Sequence, residues 1–497
     1  MTKNSKAGFI ALNRFGYGAH GDGDLAAAAS DPRGILKSEI SQPGIALLDD
    51  PQFSSTTVLL QKLYAFQKAT QMARKAKVAA ASASAAPAPD AAKVTAAKVA
   101  AATNNGAPQM QPDAMMDKPK MAVRQPPNIV QQTIQAEAQA KIQRALGARV
   151  GLAERLVAFW SNHFCISLRK SQLVAIAAGS FEREAIRPHI FGHFADMLLA
   201  VEQHPAMLNF LDNAQSIGPN SPTGLRAKRG LNENLAREIM ELHTMGAGSG
   251  YTQADVTSFA KVITGWSIVG PPGKLGTPGS FVFNRFIHEP GPQTILGKSY
   301  PQGDITQGEA ALRDFSRRPA TAHFIATKLA QHFIADAPPP ALVARLADTF
   351  TKTDGDLRAV TLALIDADES WQLPLTKLRS PYDFLIAATR AGAPLPMQIG
   401  PYFYALRLMG MGLWAPPGPN GWPDTNAAWA SPEGMKQRLD IAARWASVWQ
   451  SGANPSQVLE ALAGDYASRE TQQAVARAPS RPEGFALLLM SPELQRS

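Results

Sequence analysis

Five side chains in this sequence have the chemistry of metal ligands or acid–base groups and sit where folding could bring them together. Three lie in the stretch GLNENLAREIMELHTMGAGSG, residues 230–250: Glu238, Glu241 and His243. The other two are His163 and His288. Carboxylates with one or two imidazoles suit zinc, manganese or iron, and the same groups serve general acid–base catalysis. Bundle di-metal sites use Glu-x-x-His pairs on facing helices. This stretch offers Glu-x-x-Glu followed by Leu-His, and no second matching pair occurs. The candidate metal ligands are therefore Glu238, Glu241 and His163. The candidate catalytic groups are Glu238, His163 and His288, with Asn162 and Asn234 placed to bind and orient.

These residues need elements to hold them. Residues 231–245 read as one helix, with Asn232 or Gly230 capping its start and Gly246 ending it. At about 100° per residue, Leu231, Leu235, Ile239 and Leu242 make an apolar stripe. Glu238 falls on the edge of that stripe, Asn234 and Glu241 just beyond it, and His243 on the other shoulder. A carboxylate beside a buried stripe must find a cation, a donor or a proton. GLAERLVAFWSNHFCISL, 151–168, reads as a second helix with His163 toward the core and Asn162 beside it. A core histidine bonded to a backbone carbonyl or carboxylate is the plainer reading of His163. FVFNRF and QTILGKSY read as partners in one small hairpin that carries His288 and Glu289 on a turn.

The frame around them is helix after helix. TQADVTSFAKVITGWS, 252–267, opens with a Thr252–Asp255 capping pattern, and Gly265-Trp266 closes it. Asp354-Gly355-Asp356 lacks the downstream glutamate of a calcium loop and reads as a helix cap. His323 and His332 are nine apart and so not on one face. The fold class expected is mainly α: a large multi-helical single domain with a small β-hairpin. Residues 1–77 form its N-terminal helical part and 128–497 its main body. Residues 78–127 read as a disordered Ala/Pro-rich insertion, because they offer almost nothing to bury.

Composition narrows the function. The net charge is +9, but residues 71–130 hold eight basic and three acidic side chains, so +5 of it sits in the biased segment. The remainder is only mildly basic, which argues against a nucleic-acid surface. The single cysteine, Cys165, follows Phe164 on an apolar helix and reads as a buried thiol. No apolar run is long enough for a membrane span or a signal peptide, which points to the cytoplasm. Two function classes stand. One is a metal-assisted hydrolase or oxidoreductase using the residues above. The other is a helical scaffold that binds a protein or glycan through Trp/Pro-rich loops, with Trp266 and Trp422 as exposed anchors.

NENLAREIMELHTMG followed by GYTQADVTSFAKVITGWS resembles the signature of the bacterial family known as domain of unknown function 1800. FGYGAHGDGDL, LVAFWSNHF, DMLLAVEQHPAMLNFLDNAQS, FIHEPGPQTILG, RPATAHF, KLRSPYDF and GPNGWPDTNAAWAS resemble further pieces of it in the same order. The resemblance spans nearly the whole chain outside 78–127. It implies no established activity. It does imply relatives that are often exported, leaving a periplasmic location open, and a neighbouring partner similar to sulfatases and phosphatases. Glu289 stands where the family usually has aspartate, and Gln293 where it usually has lysine.

Overall fold

The computed structural model describes residues 3–21, 23–84, 128–226, 230–392, 399–449 and 452–497. They form a mainly α-helical structure with two small antiparallel two-stranded sheets. Most of the Ala/Pro-rich insertion lies outside the described residues. Its first turns belong to the helix Thr56–Ser84, which runs seven residues past the expected end at 77 on an alanine-rich sequence that favours helix.

Two large apolar clusters carry the packing. One gathers Leu156, Trp160, Phe164, Phe194, Ile239 and Phe315; the other gathers Tyr382, Leu406, Trp445 and Phe485 from the C-terminal third. The N-terminal helix Lys3–Arg14 and the turn after it feed both, with Leu12 and Phe15 in the first and Phe9 and Tyr17 in the second. Local capping signals hold where expected. Thr252 and Asp255 form a reciprocal capping box, and Asp356 caps the helix Leu357–Asp366.

The strands pair differently from the expectation. Phe281–Phe283 pairs with Trp266–Ile268, and Gln293–Ile295 pairs with Lys298–Tyr300. Leu296 and Gly297 both have positive φ, the geometry of a tight two-residue hairpin turn, so this segment closes on itself and leaves FVF to the tryptophan strand. Trp266 is consequently buried against Phe281 and Gly308, a core residue and not the exposed anchor expected of it.

The organising stretch is also not one α-helix. An α-helical turn, Asn234–Glu238, passes into a π-helix, Ile239–Thr244. The Met245 N–H donates to the Met240 carbonyl, and Thr244 Oγ1 donates to the Ile239 carbonyl, each five residues back. The wider turn buries residues in pairs four apart: Leu235 with Ala236, Ile239 with Met240, His243 with Thr244. Leu242 is left half-buried, and His243 moves from the shoulder into the core.

Candidate functional site

His163 ends the helix Leu152–His163, whose start is held from far away in sequence. The Glu39 carboxylate accepts the backbone N–H groups of Val150, Gly151 and Ala153 at 3.1, 3.1 and 3.0 Å. Gly151 has φ 102°, and a Cβ there would stand 2.8 Å from the Tyr17 ring. The helix thus presents Arg155, Phe159 and His163, four residues apart, along one face.

His163 Nε2 lies 3.1 Å from the His243 carbonyl and must donate to it, which leaves Nδ1 as a bare acceptor with no partner. His243 Nδ1 lies 2.8 Å from Glu202 Oε1. His243 Nε2 and Glu202 Oε2 are buried without partners. Phe164 touches both imidazoles, with ring centroids at 4.4 and 5.3 Å. Burial first, then the charges of Lys328 and His243, hold the His163 pKa well below its ordinary value, so the ring is neutral at neutral pH.

The other expected residues are placed apart. Glu238 is half-buried with no hydrogen bond or ion pair among the described residues. Its carboxyl is raised by burial, opposed by His243, and raised further by Glu241. Arg237, on the same turn, pairs with Glu233 instead. Glu241 accepts from the Tyr251 hydroxyl at 3.4 Å. His288 Nδ1 donates to the Thr264 carbonyl at 2.7 Å, and Glu289 accepts from the backbone and side chain of Asn220. His288 Nε2 is buried without a partner. Asn234 sits at the helix start, its N–H bonded to Asn232 Oδ1. Asn162 clamps the backbone of Trp422 at both ends, through its N–H at 2.7 Å and its carbonyl at 2.9 Å. Among the described residues no three His, Cys, Asp or Glu side chains converge to hold a metal. The zinc, manganese or iron site expected at Glu238, Glu241 and His163 has no converging ligand set there.

What converges instead is a cleft of about 200 Å³ that His163 borders. Its walls come from the helices Leu152–His163, Pro319–Phe333 and Pro381–Arg390, and from the loop that carries Trp422. His332 Nδ1 lies 2.7 Å from Asp424 Oδ2. Lys377 Nζ lies 3.2 Å from Asp424 Oδ1 and 2.8 Å from Asp336 Oδ1. Burial pushes the Asp424 carboxyl up, but His332 and then Lys377 outweigh it and hold the carboxyl far below the ordinary range. Arg155 reaches His332 Nε2 at 3.4 Å.

Lys328 lines the same cleft with no hydrogen bond or ion pair among the described residues. Its Nζ lies 5.4 Å from the centroid of the Phe324 ring. Burial lowers its pKa, and Cys165 and Asp424 partly oppose that shift. Elsewhere in the interior, several buried arginines are held by neutral oxygens. Arg14 donates to the carbonyls of Ser370 and Pro374, and Arg390 to those of Gly18 and Ala148. Arg438 donates to the Arg379 carbonyl, Arg379 to Asn13 Oδ1, and Arg155 to the Gly16 carbonyl. Asp383, on the cleft wall, is the carboxylate whose charge reaches Arg379 and Arg438. Arg390 is reached instead by the charges of Asp24 and Glu39, so Arg379, Arg390 and Arg438 donate to neutral oxygens and take their counter-charge from carboxylates a little further off.

Sequence reasoning passed over Lys328, His332, Arg155 and Asp424. Their signal was local and weak: Lys328 and His332 are four apart on one helix, as are Arg155 and Phe159. Trp422, expected as an exposed anchor, is half-buried on the cleft wall. No helix among the described residues is long and apolar enough to cross a membrane. No curated protein and no solved structure matches the chain. The family model described as "Protein of unknown function (DUF1800)" matches residues 10–496, and the chain belongs to that family.

Proposed function

We propose that the cleft binds a small anionic ligand and that His332, held by Asp424, is the acid–base group beside it. The observation that carries this is Lys328, an ammonium that lines the cleft beside Arg155 and makes no hydrogen bond or ion pair among the described residues. Unpaired buried cations are costly, and an incoming carboxylate, phosphate or sulfate group would offset that cost. The Asp424 carboxylate fixes the His332 ring and favours a proton on Nδ1, so Nε2 is the atom free to take a proton from water or from the ligand. Arg155 now occupies that lone pair at 3.4 Å, and an anion drawing the guanidinium toward itself would release it. The reaction class this suits is hydrolysis or proton transfer on an anionic substrate. It differs from the metal-assisted reading in needing no metal ligand set at Glu238.

The test is calorimetric titration of the full chain with inorganic phosphate, sulfate and acetate. Saturable binding is expected, weakened at least tenfold in Lys328→Met. No saturable binding, or binding that Lys328→Met leaves unchanged, overturns the anion site. A parallel screen of chromogenic acyl, phosphate and sulfate esters addresses the chemistry, and any turnover is expected to vanish in His332→Asn. Binding without turnover of any ester would leave a binding protein, with Trp422 as a wall of its cleft.

A further inference from the structure

Next to the charged cleft lies a smaller cavity of about 70 Å³. The two share Ala158, Asn162, Tyr382, Met411 and Trp422 as walls, so they lie side by side. Their chemistry differs. Beyond the shared residues the smaller cavity is bounded mainly by Ile166, Leu406, Leu413, Trp414 and Pro416. Most polar groups on its walls are already used, the Tyr382 hydroxyl and the Trp422 indole N–H being the exceptions among the described residues. Lys141 Nζ and Ser161 Oγ both bind Glu182 Oε2, at 2.5 and 3.1 Å. Asn162 spends its amide on the Trp422 backbone. Cys165 Sγ is 3.3 Å from the Pro419 carbonyl, and burial pushes the thiol up to about 12, so it is no thiolate. A group entering this cavity therefore meets hydrocarbon, indole and phenol faces and finds no free charge.

We infer that the ligand is an amphipathic organic anion, with its anionic head at Lys328 and a short aliphatic or aromatic tail between Trp414 and Trp422. This rests on the anion site proposed above and adds the substrate class. The warrant is the division of labour between two adjoining cavities: the charged one has an unpaired cation, and the charged groups on the walls of the apolar one are already engaged. An inorganic anion would fill only the first. A neutral hydrocarbon would leave Lys328 as it is.

The experiment is a calorimetric series of acetate, butanoate, hexanoate and octanoate on the full chain. Affinity is expected to rise about fourfold per added methylene until the apolar cavity is full. Leu413 lines only the smaller cavity, so Leu413→Trp should flatten that slope while acetate binds as before. The milder Leu413→Phe should reduce it in part, with a melting curve checking the fold of each variant. Acetate binding with no dependence on chain length would overturn this inference and leave the anion site standing. No binding by any member would overturn the anion site, and this inference with it. The wild-type series decides between these outcomes even if neither variant folds.

Discussion

Two π-helical turns among the described residues sit on two buried polar networks, and the networks are finished differently. The turn Glu182–Ile186 places Glu182 among Lys141, Arg187, Ser161 and Trp414, all of which reach its carboxylate. Arg187 also binds both oxygens of Glu154, and Arg183 both oxygens of Glu137. None of these carboxylate oxygens is left bare. The turn Ile239–Thr244 places His243 against Glu202 and its carbonyl against His163, and there three buried atoms have no partner. The first network closes the wall of the apolar cavity. The second borders the charged cleft through His163. A saturated network holds a shape, whereas one with open acceptors keeps the capacity to take a proton or a donor.

The contrast can be broken by experiment. Arg187→Ala would take the bidentate partner from buried Glu154 and leave Glu182 with Lys141 as its one paired cation among the described residues, and a loss of about 3–5 kcal/mol in urea unfolding is expected. Acid should act on the same network. Burial pushes the Glu182 carboxyl up, but Lys141 and Arg187 win and hold it at about 2. A depressed carboxyl stabilises the fold above its unfolded value of about 4.5, and that stability is lost as pH falls toward 2. The contribution is about 3 kcal/mol. Lys141→Met should raise the pH of acid unfolding, and an unchanged midpoint would sink the claim. In the open network, Glu202→Gln keeps the shape and removes the charge, and a cost of about 1–3 kcal/mol is expected. A cost as large as that of Arg187→Ala would erase the distinction between the networks.

Smaller effects sharpen the picture at the loop. Asn162→Ala removes both bonds to Trp422 and should cost about 1–2 kcal/mol, while loosening the shared wall of the two cavities enough to alter tryptophan fluorescence. Gly421 packs beneath that clamp with φ 75°, and a Cβ there would lie 2.5 Å from the Asn162 carbonyl oxygen, so the loop tolerates little movement. The smallest effect is expected at Arg237→Ala. Its pair with Glu233 is solvent-exposed, and melting should shift by less than about 1 kcal/mol allows.

Anion binding has its own pH dependence. Burial lowers the Lys328 pKa, so the ammonium is lost earlier in the alkaline range than at an ordinary lysine near 10.5. Affinity for sulfate, which does not titrate in this range, should therefore decline before pH 10.5, and a profile flat to that point in wild type would contradict the role given to Lys328.

The sequence by itself determined the helical class and much of its punctuation. Thr252 with Asp255, and Asp356 before Leu357, act through bonds to residues two or three away, so their effect is written locally. The apolar character of Cys165 and the core-facing side of His163 follow from the same short-range pattern. Only the tertiary structure decided the rest. A π-turn differs from an α-turn by one residue of register, and what selects it here is burial of His243 where Glu202, 41 positions earlier, can meet it. The helix that carries His163 is started by Glu39, more than a hundred residues away. The cleft is likewise an assembly: Arg155, Lys328, His332 and Asp424 come from three separate stretches, each unremarkable alone. Local sequence sets which face of an element is apolar, but the charges that share a cavity are chosen by how those faces pack.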